Sequence, residues 1–190
     1  DIAAAIHSCI RSTDTLIRYG GDEFLLLFPK MDEHIFVRKQ NEIREAVRRM
    51  QRLNILPDVS HTSDRSFWDI MDLVEGPVIA SHSNCRALCD VRRNLTDEQL
   101  RTIRDTGGVV GVNVSHDFVH KEPRQQTAAM LARHAAHMAE VMGPEHVACG
   151  FDFCEYFGSG YEGCEGMEDC GQAQNFFFEL ERIGFSEAER

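Results

Sequence analysis

"LNILPDVSH" (Leu53–His61) and "GPVIASHS" (Gly76–Ser83) decide how this chain is read. Each is a short apolar run of strand length that closes on a histidine and is followed by a helix-like segment. His61 and His82 therefore stand one strand and one helix apart, the interval at which neighbouring parallel strands bring side chains to a common rim. "GGVVGVNV" (Gly107–Val114) and "EHVACGFD" (Glu145–Asp152) repeat the rhythm and deliver Asn113 and Asp152. Near-continuous apolar strands linked through helices describe buried parallel strands, because half-exposed antiparallel ones would alternate apolar and polar residues. The expected fold class is α/β: a partial (β/α)8 barrel of the TIM type, with about four parallel βα units and a polar rim where active sites of such sheets lie.

The connecting segments carry helix signals of their own. A helix is expected from about Ser63 to Leu73, and a second begins at the capping-box pattern Thr96-x-x-Gln99. A long helix follows from roughly Arg124 to Met142, and the last lies around Ala173–Arg182. Between Asp152 and that last helix runs an irregular loop rich in glycine and acidic residues, read as a border to the cleft.

Composition narrows the partners. The chain has 190 residues, 31 acidic against 20 basic side chains and a formal charge of -11. It is long enough for one sizeable core but short of the roughly 250 residues of a complete eight-stranded barrel. The acidic balance repels nucleic acid, and the densest basic cluster, "REAVRRMQR" (Arg44–Arg52), spreads its arginines around a helix. No apolar run reaches the roughly 20 residues that span a bilayer. Seven cysteines without a C-x-x-C spacing read as reduced thiols, so a cytoplasmic location is expected.

The first residues follow a different plan. "DTLIRY" and "EFLLLFP" flank Gly20-Gly21 as two strands around a tight turn, a strong local hairpin signal. Residues 35–52 then follow a helical period.

Four stretches carry a family likeness: "DVSHTSDRSFWD" (58–69), "PVIASHSNCRALCDVRRNLTDEQL" (77–100), "GGVVGVNV" (107–114) and "VACGFDFCEYFG…GMED" (147–169). Together they make residues 48–190 resemble the C-terminal half of the membrane dipeptidase (renal dipeptidase) family, zinc hydrolases built on a (β/α)8 barrel. The resemblance implies that His61 and His82 are ligands of a zinc pair. It implies that Arg93 grips the terminal carboxylate of a small dipeptide substrate, a task suited to a planar guanidinium fork. Asp152 falls on the family aspartate beside the reacting water and leaving amine, and Asn113 is a candidate polar contact to substrate.

Residues 1–47 resemble the central hairpin of GGDEF-type diguanylate cyclases, on the strength of "RSTD" (Arg11–Asp14) and "GGDEF" (Gly20–Phe24). That likeness implies an R-x-x-D site for cyclic di-GMP at Arg11 and Asp14. It also implies a nucleotide- and Mg2+-binding turn at Gly20, Gly21, Asp22 and Glu23, where hard oxygen ligands suit magnesium. "EIREAVRRMQRLNIL" (Glu42–Leu56) serves equally as the helix after that hairpin or as the helix entering the first dipeptidase-like strand.

Both likenesses are partial. The dipeptidase H-x-D pair, bridging glutamate and further substrate histidine have no counterpart, nor has the first-strand aspartate of the cyclase. Metal affinity rests on ligand number and preorganisation, so dipeptide hydrolysis by this chain is expected to be impaired. Two other readings stay open: a signalling fragment that binds guanine nucleotide or cyclic di-GMP, and a non-catalytic scaffold that forms homo-oligomers through open sheet edges.

Overall fold

The computed structural model describes residues 10, 14–20, 23–27, 32, 34, 37–38, 41–42, 45, 48–49, 52–160 and 162–189. The chain divides into two compact units, Asp1–Ala46 and Val47–Arg190.

In the first unit, β1 (Thr15–Gly20) pairs antiparallel with β2 (Glu23–Leu27), in the register Thr15↔Leu27 to Gly20↔Glu23 with an irregularity between Arg18 and Gly20. Asp14, immediately before β1, is buried. The described residues between 34 and 49 are helical. Arg11, Gly21 and Asp22 lie outside the described residues.

The second unit begins its regular structure with α1 (Asp64–Met71), whose first turn is closed by the Ser63 hydroxyl accepting from the Ser66 amide. In α2 (Asp97–Asp105) the capping box forms in full: the Gln99 amide donates to Thr96 Oγ1 at 3.2 Å and the Thr96 amide to Gln99 Oε1 at 2.9 Å. β3 (Val110–Val112) follows, then the short α3 (His116–Val119) and the long α4 (Ala128–Met142), capped by Thr127 and ended by Gly143 at φ 93°. β4 (Val147–Cys149) pairs parallel to β3, and α5 (Gln174–Arg182) packs on α4.

This architecture corrects the expected partial barrel. Among the described residues helix predominates over strand, no closed (β/α)8 arrangement forms, and the ladders are two two-stranded sheets. The runs around Val59 and Ile79 make only isolated parallel bridges, Asp58↔Ile79 and Ala80↔Val110. The physical reason is local. Pro57 and Pro77 bring no N–H to a ladder at the start of each run. At the other end His61 turns the chain away with φ 65°.

The apolar side chains of these segments are nonetheless buried together. Val59, Val78, Ala80, Val110, Val112 and Val114 join Leu100, Ile103, Leu131 and Met138 in one cluster. Burial of each branched side chain contributes about 1.5–3 kcal/mol. Two glycines set how closely the backbones approach. A Cβ on Gly150 would lie 1.6 Å from the Ser81 carbonyl oxygen, and one on Gly111 would lie 2.2 Å from the same atom.

A buried histidine ties α4 to the loop after His82. His134, fully enclosed, accepts from the Cys85 amide at Nδ1 (3.0 Å) and donates from Nε2 to the Val119 carbonyl (2.8 Å). Burial pushes its pKa down to about 4 against the pull of the Val119 carbonyl, and His137 and His120 add to the depression. The neutral ring is therefore the form that the fold requires.

Two outcomes follow. Gly150→Ala is expected to cost about 3 kcal/mol in urea unfolding, whereas Gly76→Ala, with nothing within 4 Å of the new methyl, should change stability by less than about 1 kcal/mol. Because the folded His134 pKa lies below its ordinary value, its contribution is intact above about pH 6.5 and is lost as pH falls toward 4. The loss should reach about 3 kcal/mol across that window. His134→Gln, which keeps an acceptor and a donor, should flatten that dependence in unfolding curves measured from pH 7 to pH 4.5.

Candidate functional site

His61 and His82 meet. Their Nε2 atoms lie 2.9 Å apart and their rings are edge to face at 5.0 Å between centroids. Asp152 stands beside them, with Oδ2 3.7 Å from His82 Nε2. The juxtaposition arises from the bridges Asp58↔Ile79 and Ala80↔Val110 together with the β3–β4 pairing, which set the four segment ends side by side. His61 and Asp152 are two of the three described non-glycine residues with positive φ, at 65° and 59°, the third being Asn54. Left-handed backbone costs an L-residue roughly 1–2 kcal/mol. It is held at His61 by a turn in which the Thr62 amide and hydroxyl both donate to the Val59 carbonyl.

His82 is fixed from behind. Its Nδ1 lies 2.7 Å from Ser81 Oγ, and the Ser81 hydroxyl donates to Asp58 Oδ2. The amides of Ser60 (2.9 Å) and Ser81 (3.1 Å) donate to Asp58 Oδ1, and the His82 amide donates to Ser60 Oγ (3.1 Å). Burial alone would raise the Asp58 carboxyl, but the Ser81 hydroxyl and these amides hold it below the usual carboxylate range. At His82, burial lowers the imidazole against the pull of Asp152 and Asp58, with Arg93 and His61 reinforcing the depression.

Asn113 is fully buried and turned to a structural task. It exchanges two hydrogen bonds with Asn84: the Asn113 amide donates to Asn84 Oδ1 at 3.0 Å, and Asn84 Nδ2 donates to the Asn113 carbonyl at 2.8 Å. Its side chain accepts from the Ser115 amide at 2.7 Å and donates to Asp152 Oδ2 at 3.2 Å. Asn113 thus orients the carboxylate of Asp152.

Arg93 belongs to the loop that follows His82. Nη1 donates to Ser83 Oγ (2.9 Å) and Nη2 to the His82 carbonyl (2.8 Å), with the guanidinium carbon 5.5 Å from the centre of the Phe118 ring. The loop is braced in turn by the bidentate pair of Arg86 with Asp64 at 2.8 and 3.0 Å. Arg93 and Arg92 line a cleft of ≈ 550 Å³ with His61, Thr62, Ser63, Asp64 and Arg65. The cleft thus gathers three arginines, Arg65, Arg92 and Arg93, around one of the converging imidazoles, His61.

The expectation of a zinc or other metal-binding centre is corrected. Among the described residues no group of three or more His, Cys, Asp and Glu side chains is placed to hold a metal ion. The donor set fails on number: structural zinc takes four protein ligands and catalytic zinc three, whereas only His61 and His82 have nitrogens in close approach. Of the hairpin residues, Asp14, Gly20 and Glu23 are described and Arg11, Gly21 and Asp22 are not. The six described cysteines are free thiols. No described helix is long and apolar enough to cross a membrane.

Sequence reading missed Asp58, Ser60, Ser81, Ser83 and Asn84. Only the D-x-S spacing of Asp58 and Ser60, which suits an Asx-type turn, offered a signal.

His61, His82 and Asp152 lie just beyond the parallel-bridged segments, at the carboxyl ends where open α/β sheets carry their ligand sites. Residues 42–189 match the family model for membrane dipeptidase (peptidase family M19), and the chain belongs to that family. Residues 1–63 match the diguanylate cyclase GGDEF domain, so the two matches overlap over 42–63. A protein encoded in the pqqA 5' region of Klebsiella pneumoniae is 42% identical over 112 residues, covering 57% of this chain and 41% of that protein. A dipeptidase of Schizosaccharomyces pombe is 32% identical over 148 residues, 75% of this chain and 34% of its own length. Among solved structures, a Rhodobacter sphaeroides metallo peptidase liganded with a phosphinate mimic of the dipeptide L-Ala-D-Ala superimposes with a TM-score of 0.68. It is 31% identical, over 77% of this chain and 41% of that one. The chain thus spans less than half the length of each of these relatives.

The left-handed turn at His61 has a measurable consequence. His61→Gly is expected to be more stable than His61→Ala by on the order of 1 kcal/mol, because both lose the ring and only glycine relieves the backbone, read as the higher urea midpoint. A midpoint for His61→Gly no higher than that of His61→Ala would show that the turn is unstrained.

Proposed function

We propose that this chain carries the substrate-gripping side of a dipeptidase site and hydrolyses dipeptides poorly by itself. The observation that carries the reading is the convergence of His61 Nε2 and His82 Nε2 at 2.9 Å beside Asp152, with Arg93 on the same loop as His82. The fork of Arg93, oriented by Ser83 and the His82 carbonyl, is suited to the terminal carboxylate of a small peptide. Asp152, oriented by Asn113, is placed to orient water and to move a proton to a leaving amine. Two imidazoles alone do not make a metal centre, and no step is routed through one.

The open outer edge of β4 favours self-association as a further property, since an unpaired strand edge is a template for another chain. A monodisperse monomer in size-exclusion runs at several concentrations would count against it. The second functional reading, nucleotide signalling, is favoured by the formed β1–β2 hairpin and the cyclase match over residues 1–63. Guanine-nucleotide binding that disappears when Arg11 or Asp14 is changed would support that reading.

The test of the main reading is a hydrolysis assay on the purified chain with and without added zinc, alongside the Rhodobacter sphaeroides metallo peptidase. Turnover at least about a thousandfold lower than in that enzyme is expected, a deficit of about 4 kcal/mol in transition-state stabilisation. Binding of the phosphinate dipeptide mimic should survive weakly and fall about tenfold in Arg93→Ala. Full turnover, or binding indifferent to Arg93, would overturn the proposal.

A further inference from the structure

We propose that Asp58 and Ser81 form a hydrogen-bond relay that sets the tautomer of His82, holding its proton on Nδ1 and turning the Nε2 lone pair toward His61 and Asp152. The inference rests on the reading of His82 as a site residue, but its test needs neither turnover nor a bound ligand.

The direction of each bond follows from the donors available. Asp58 accepts two backbone N–H bonds on Oδ1, from Ser60 at 2.9 Å and Ser81 at 3.1 Å, and its Oδ2 receives the Ser81 hydroxyl. An ionised carboxylate only accepts, so the single hydroxyl proton of Ser81 is committed to Asp58. Ser81 Oγ then has lone pairs alone to offer to His82 Nδ1 at 2.7 Å, and that nitrogen must carry the proton. In a neutral ring the other nitrogen is left as an acceptor. It faces His61 Nε2 at 2.9 Å, which donates, and Asp152 Oδ2 at 3.7 Å.

The relay is built from separate segments. Asp58 and Ser81 are 23 positions apart and meet because Asp58 bridges Ile79 in parallel. Ser60 adds a second tie by accepting from the His82 amide at 3.1 Å. The ring is therefore fixed through its backbone and through Nδ1, leaving Nε2 as the atom that faces His61 and Asp152. A histidine that is to accept a proton or donate a lone pair needs this arrangement, with the far nitrogen occupied by a polar partner. Ser81 and Asp58 act through His82 and are positioning residues.

The test is a long-range proton–nitrogen correlation spectrum of the full chain, uniformly labelled with nitrogen-15, at pH 8. His82 is assigned by the signals lost in His82→Gln. The expected pattern shows Nδ1 protonated and Nε2 bare in the unaltered chain. In Ser81→Ala and Asp58→Asn the ratio of the two tautomers should shift roughly tenfold toward Nε2–H, the loss expected for one charge-assisted hydrogen bond. Ser81→Thr, which keeps the hydroxyl, should restore the original ratio. A proton on Nε2 in the unaltered chain overturns the proposal outright, and so does a ratio unmoved by both Ser81→Ala and Asp58→Asn. The unaltered spectrum decides the matter even if a variant fails to fold. Failure of the dipeptide assay with the expected tautomer present would count against the functional reading while leaving the relay intact.

Discussion

The carbonyl of Ser81 passes between Gly111 and Gly150 at a distance that leaves no room for a side chain on either. This close approach constrains everything built above it. The Gly111 amide donates to the Ala80 carbonyl and the Ser83 amide to the Gly111 carbonyl, at 2.8 and 2.7 Å, so the segment bearing His82 is bonded on both sides of Ser81. Were the backbones to separate by the width of a methyl group, His82 would move relative to Asp152, two residues beyond Gly150. Packing of apolar side chains below the site and the hydrogen bonds within it thus share one geometric requirement.

A second layer of constraint comes from buried amides. The Asn84 side chain bonds both the amide and the carbonyl of Asn113, and both residues are enclosed, so each bond replaces water that cannot reach it. Breaking one partner would leave a buried polar group unsatisfied, at about 1–3 kcal/mol. Asn113 passes this rigidity to Asp152 and Asn84 lies two residues after His82, so the carboxylate and the imidazole are referred to the same pair. His134 performs a parallel service at Cys85, one residue farther along the same loop. A loop that carries Arg93 is thereby held at several points by groups with no direct part in the cleft.

These dependencies explain what was legible in the sequence. Helix starts were readable because they are local: Thr96 and Gln99 satisfy each other within one turn, and Ser63 meets an amide three residues on. The apolar runs ending in His61 and His82 were readable for the same reason. The barrel expectation failed because the runs were judged by apolar content, whereas Pro57, Pro77 and the left-handed turn at His61 limit how many ladder bonds each can form. Asp58, Ser81 and Asn84 escaped notice because their roles depend on contacts 23 and 29 residues away along the chain. No periodicity encodes such a meeting. Asn113 shows the converse: its position at a strand end was visible, but its enclosure, which turns it toward Asp152, appears only in three dimensions.

The two histidines carry the argument one step further. An imidazole pair at 2.9 Å between nitrogens needs one donor and one acceptor, so the rings cannot be equivalent when both are neutral. The asymmetry is imposed from one side, since the Asp58–Ser81 pair stands behind His82. His61 instead depends on a strained turn tied to Val59. The two imidazoles are therefore held differently, His82 through Nδ1 and its amide and His61 on a left-handed turn. Any group that enters between them must exchange the hydrogen bond they now share for bonds of its own. Two imidazoles without a third close ligand offer little to drive that exchange, because the histidine pair satisfies itself. The contact that brings the two histidines together thus also holds them closed on each other.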